Sequence, residues 1–148
     1  MKIEQIDNLF ELGEITLSQK LSMISNTKIP KSLELIDTTV LGYITYAIVS
    51  YGNNLMDRQK AIRVITDNTD YNEGSAQIGL TMWGNFTNQE KTHKRTFKVS
   101  EIPYYKEYAR QLGVEEDLRQ GLLRYVEYAT ANHKMSATKR EEFLKEIS

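Results

Sequence analysis

The sequence predicts a mainly helical α+β domain, about six helices with a small central β-hairpin packed on the helical core. Three observations predict it. Apolar residues recur every three or four positions over residues 1–66 and again over 101–148, the period of amphipathic helices. Between these stretches Ala76, Ile78, Leu80 and Met82 alternate with Gln77, Gly79 and Thr81, and Phe97 and Val99 alternate with Lys98 and Ser100. That is the period of half-buried strands, and it places the hairpin at 76–100. No low-complexity or linker-like stretch interrupts the 148 residues, so 1–148 reads as a single domain, large enough to bury a core without disulfides or metal.

The elements follow in order. Near the N-terminus Ile3, Ile6 and Phe10 share one helical face, and Gly13 is a stop. Thr16 and Gln19 have the spacing of a capping box for a short helix that turns Leu17, Leu21 and Ile24 inward. Pro30 suits the first turn of a long central helix over 31–51, where Leu33, Ile36, Val40, Ile44, Ala47 and Tyr51 advance by three or four. β-Branched residues crowd that helix after Val40, so a buried strand over 40–51 stays open. Asn54 is expected to cap a helix from Leu55 to about Thr66 that buries Ala61, Ile62 and Ile65. The hairpin comes next, its strands joined by the polar, mostly basic loop 85–95. Two strands alone are marginal in water, so Ile78, Leu80, Met82, Phe97 and Val99 are expected to face helical side chains. Beyond Pro103 a helix over 104–112 is stopped by Gly113. Leu118, Leu122, Tyr125, Val126 and Ala129 then form a stripe behind the acidic start Glu115, Glu116 and Asp117, which suits the positive end of a helix dipole. Thr138 and Glu141 have capping-box spacing for a last helix carrying Phe143, Leu144 and Ile147.

Composition excludes more than it assigns. The 19 basic and 20 acidic residues leave a net charge of −1, which argues against a protein that coats nucleic acid with its whole surface. Cysteine is absent, so disulfides, thiolate metal sites and cysteine nucleophiles are excluded. The two histidines, His93 and His133, belong to no ligand-spaced pair, and the chain has no phosphate-binding glycine loop, dinucleotide fingerprint or nucleophile elbow. Oxygen ligands cluster over 67–73, but aligning Gly74 with the glycine of a calcium-binding loop puts Thr69, Tyr71 and Leu80 in ligand slots, and the pattern fails. The expectation is therefore a non-enzymatic protein with no cofactor and no metal. The stretch 40–51 is shorter than the roughly 20 apolar residues a membrane span needs, and the first residues do not read as a secretory leader. A cytoplasmic, intracellular protein without a membrane partner is expected. Richness in Ile, Lys and Asn suggests an AT-rich source, a low-GC bacterium or a phage or other mobile element.

Two groups of residues carry the functional reading. Tyr104, Tyr105, Tyr108 and Arg110 lie on one helix, Arg124, Tyr125 and Tyr128 on the next, and Trp83 precedes Gly84. Nine tyrosines against four phenylalanines is an amphipathic bias, and tyrosine, arginine and tryptophan are enriched at protein–protein contacts. Tyr104, Tyr105, Tyr108, Arg110, Arg124, Tyr128 and Trp83 are accordingly the protein-binding candidates of an accessory or regulatory protein, an inhibitor or a scaffold, with homo-oligomerisation through apolar helices as a further option. The other group is basic. Lys91, His93, Lys94, Arg95 and Lys98 on a hairpin would resemble the wing of a winged-helix module gripping phosphates, with Arg58, Lys60 and Arg63 on the preceding helix offered to a groove. That makes a DNA- or RNA-binding regulator the alternative to the protein partner.

Overall fold

The computed structural model describes residues 33–148, and every regular element among them is a helix. The expected helices around Ile3–Phe10 and Leu17–Ile24, with Gly13, the Thr16 cap and Pro30, lie outside the described residues. The α+β expectation is overturned: the described residues contain no strand and no hairpin. Ala76 and Leu80 are buried on helical turns, and Trp83 and Phe86 continue the same stripe by steps of three. What looked like a strand alternation is a helical stripe read with the wrong partner, since Ile78 is 53 % exposed.

Helix α1 is Val40–Gly52. It begins nine residues later than the sequence suggests, because Asp37 and Thr39 build a local turn. The Asp37 carboxylate accepts from the Thr39 N–H and hydroxyl, and the Thr39 hydroxyl in turn caps the Gly42 N–H at 3.1 Å. The β-branched run stays helical because it is buried on several sides, with Ile44, Thr45, Ile48 and Val49 all inside. Its end is a Schellman turn: Asn54 takes a left-handed φ of 58° and the Leu55 N–H returns to the Ser50 carbonyl at 2.8 Å. Asn54 therefore ends one helix, and Asp57 caps the next through the Lys60 N–H.

Helix α2 is Arg58–Asn68, α3 is Glu73–Gly79 and α4 is Met82–Thr87. An irregular loop over 88–98 leads to a 3-10 turn, Val99–Glu101, and on to α5, Ile102–Leu112, with Pro103 in its first turn. Gly113 closes α5 with a left-handed φ of 72°. Helix α6, Glu115–Ala131, has the acidic first turn and buried stripe the sequence predicts. Helix α7, Ala137–Ile147, is capped by Ser136 onto the Lys139 N–H, so the Thr138–Glu141 box is displaced by two residues.

Helix α1 packs on α2, α4 and α5, while α6 packs on α4, α5 and α7, so these two helices organise the described core. Helix α4 approaches α6 at Gly121, where a side-chain carbon would stand 1.9 Å from the Phe86 carbonyl oxygen. Trp83, Phe86, Phe97, Tyr105, Tyr125 and Phe143 then form a continuous aromatic cluster with ring centroids 4.7 to 6.1 Å apart. No helix among the described residues is long and apolar enough to cross a membrane.

Candidate nucleic-acid interface

The loop over 88–98 is irregular yet tightly held. Arg124 projects from α6 and donates to three of its carbonyls or their approach: Phe86 at 3.1 Å, Asn88 at 2.9 Å and Lys91 at 3.1 Å. One planar guanidinium thus satisfies backbone acceptors that a non-helical segment would otherwise leave to water. Phe97 stacks into the aromatic cluster from the far end of the loop. His93, expected at the surface, is 3 % exposed and lies against Phe86, Phe97 and Tyr125 with centroids 5.1 to 5.9 Å away. Burial pushes its imidazole down to about 4, aided by the Arg95 charge and only partly offset by the Arg95 backbone. Neither ring nitrogen has a well-formed hydrogen bond among the described residues. His93 is thus a neutral plug, and it leaves the set of phosphate-binding candidates.

With Phe97 and His93 turned inward, Lys91, Lys94, Arg95 and Lys98 are left exposed, and none pairs with a carboxylate among the described residues. Lys134 joins them from the turn between α6 and α7. His133 there adopts a left-handed φ of 56°, and the Lys134 N–H returns to the Ala129 carbonyl at 2.8 Å. This Schellman turn directs the Lys134 ammonium to the Tyr128 hydroxyl at 3.2 Å and to the Lys94 carbonyl at 3.5 Å. The Lys94 and Lys134 ammonium groups lie 5.9 and 5.1 Å from the centroid of the Tyr128 ring.

The other sequence candidates fall elsewhere. Tyr105, Tyr108 and Trp83 are core residues, which removes them from any contact surface. Tyr105, a candidate for its place in the Tyr104–Tyr108 group near Arg110, points its hydroxyl to Glu101 and Met82 inside the protein. Tyr104 is half-buried and donates to Asp37 at 2.8 Å; hydrogen bonds from Thr39 and Tyr104 hold the Asp37 carboxyl below its usual range. Arg110 is exposed and bonds Glu107 on its own helix. Arg58, Lys60 and Arg63 are exposed on α2, and no hairpin follows α2, so the winged-helix arrangement is absent among the described residues.

No family model matches this chain, and no curated protein or solved structure is significantly similar to it. The site therefore rests on its own geometry. The cleft beside the loop, about 240 Å³, is lined by Ile44, Ile48, Ile65, Met82 and Phe97, with Glu101 among them. Burial raises the Glu101 carboxyl, while hydrogen bonds from the Lys98 N–H and the Tyr105 hydroxyl favour its ionised form. Both oxygens already hold structural bonds, so Glu101 serves the turn that carries the chain from the loop into α5. The sequence signal for Lys134 was missed because it is a tertiary one: Lys94 and Lys134 are forty residues apart in the chain.

Proposed function

We propose that this is a non-enzymatic accessory protein that acts by binding another macromolecule, and that the partner is a nucleic acid gripped through its phosphates. The observation that carries this reading is the loop over 88–98, which holds four cations that pair with no carboxylate among the described residues, on a backbone fixed by Arg124. Preorganised charge avoids the ordering penalty that a flexible basic tail meets on binding. A local patch suffices even at a net charge of −1, because phosphate contacts are local. The reading also places the protein inside the cell, where that partner is found.

The test is a mobility shift with random-sequence duplex at several salt concentrations. If Lys91, Lys94, Arg95 and Lys98 all meet phosphates, the log–log slope of affinity against salt is expected to be steeper than about −3. Replacing Lys94 and Arg95 together by alanine should flatten it by about two units and leave the fold intact, since both side chains are exposed. Absence of a shift at low salt removes the reading.

A protein partner is the second reading, and the cleft favours it. Ile78, 53 % exposed, and Tyr71, 42 % exposed, are among its lining residues, so an apolar segment seated there would cover both. An Ile78→Asp exchange that left an isolated complex fully intact would exclude that docking site.

A further inference from the structure

We infer that Lys94, Lys134 and Tyr128 form a phosphate subsite, the point at which the basic loop and the turn between α6 and α7 hold a single phosphate group between them. The inference rests on the nucleic-acid reading and gives it an address. Two ammonium groups from distant parts of the chain are brought to one half-buried tyrosine. Like charges converging on one ring repel each other, and an anion between them reverses the sign of that interaction.

The donors are placed for it. Lys134 donates to the Tyr128 oxygen at 3.2 Å, which leaves the phenol proton free to be donated outward. Lys94 and Lys134 keep further N–H groups, so a phosphate oxygen set meets donors from three side chains. The carboxylates nearest in sequence, Glu90 on the loop and Glu127 on α6, form no ion pair with either lysine among the described residues. The support is built in as well. Arg124, one turn before Tyr128 on α6, fixes the loop from which Lys94 projects, and the left-handed turn at His133 positions the Lys134 backbone.

The full chain is titrated with a labelled random-sequence duplex, by fluorescence anisotropy, as wild type and as Lys134→Gln, Lys134→Arg, Tyr128→Phe and Lys139→Gln. Lys134→Gln should weaken binding several-fold and flatten the salt slope by about 0.9, the share of one phosphate contact. Lys134→Arg should restore the slope, and Tyr128→Phe should weaken binding without changing it. Lys139→Gln, an exposed cation on α7 outside the subsite, should change neither. Inorganic phosphate at constant ionic strength should compete with the duplex on the wild type and lose that effect on Lys134→Gln. Duplex binding with Lys134→Gln indistinguishable from wild type in affinity and slope overturns the subsite and leaves the nucleic-acid reading in place. No duplex binding at low salt overturns both. Tighter binding of a phosphoserine peptide than of the duplex overturns the assignment of the phosphate to nucleic acid.

Discussion

Gly121→Ala is expected to destabilise the protein by about 3 kcal/mol, the upper part of the range for overpacking a well-packed interior. The new methyl carbon would stand 1.9 Å from the Phe86 oxygen, 2.5 Å from its carbonyl carbon and 2.7 Å from its Cα. All three are backbone atoms, so no rotamer change relieves the clash, and α4 must move bodily off α6. Alanine's gain in helix propensity over glycine, about 1 kcal/mol, is already set against this. Gly84 is the control. It lies in α4, a side-chain carbon there would meet nothing within 4 Å, and Gly84→Ala should be neutral or stabilising by up to about 1 kcal/mol. Urea unfolding followed by the emission of Trp83, the single tryptophan and a buried one, reads both. Equal midpoints for the two variants would show that α4 and α6 do not touch through backbone. Because Arg124 lies one turn from Gly121 and also donates to the Phe86 carbonyl, the same displacement would unseat the clamp on the basic loop.

What the sequence made legible follows from how much local pattern each element carries. Helix α6 was readable over its whole length, because its stripe Leu118, Leu122, Tyr125, Val126 and Ala129 is long and every member is buried. The stop at Gly113 was readable because a left-handed position after a helix is where glycine belongs. The start of α1 was not, since the deciding signal was the Asp37–Thr39 turn, and the apolar periodicity ran through it. Helices α3 and α4 failed for a different reason. Each spans seven residues or fewer, too short for period two and period 3.6 to separate, and the exposed Ile78 completed a false alternation.

The candidate site divides in the same way. Its charge was visible as Lys91, Lys94, Arg95 and Lys98, because clustered cations need no fold to be seen. Its architecture was invisible. Nothing local marks Arg124 as the ligand of three carbonyls, or Lys134 as the neighbour of Lys94, or His93 as a core residue among cations. His93 and Phe97 turn inward while Lys94, Arg95 and Thr96 between them stay exposed, so the loop is pinned at two points and offers its charges in between. The tyrosine bias was misassigned because tyrosine is as useful inside this protein as at a surface. Tyr105, expected at a contact surface, instead joins Tyr125 of the buried α6 stripe in the aromatic cluster that seats the loop.

That architecture makes the loop sensitive to acid, and stability is expected to fall by about 3 kcal/mol between pH 6.5 and pH 4 through His93 alone. The sign follows from proton uptake. The folded imidazole sits at about 4 against an ordinary 6.5, so in this window the unfolded chain binds the proton more readily than the folded one. The His93 contribution is therefore complete above pH 6.5 and is lost as pH falls to about 4, and 2.5 units at 1.36 kcal/mol each set its size. Other groups titrate nearby with different signs. Asp37 and Glu107, held below their usual values, withdraw stability at still lower pH, while Glu101, raised by burial, adds stability as it is protonated. His93→Leu removes the imidazole and leaves those groups in place. The unfolding free energy of wild type minus that of His93→Leu should fall by about 3 kcal/mol from pH 7 to pH 4, with the carboxylates cancelling from the comparison. A difference that stays constant over that range would mean that His93 is solvated. The functional consequence has the same origin. Charging the ring drives it out from between Phe86, Phe97 and Tyr125, and the segment that leaves with it is the one that holds Lys94 beside Lys134. Acid should thus loosen the basic face before the helices unfold.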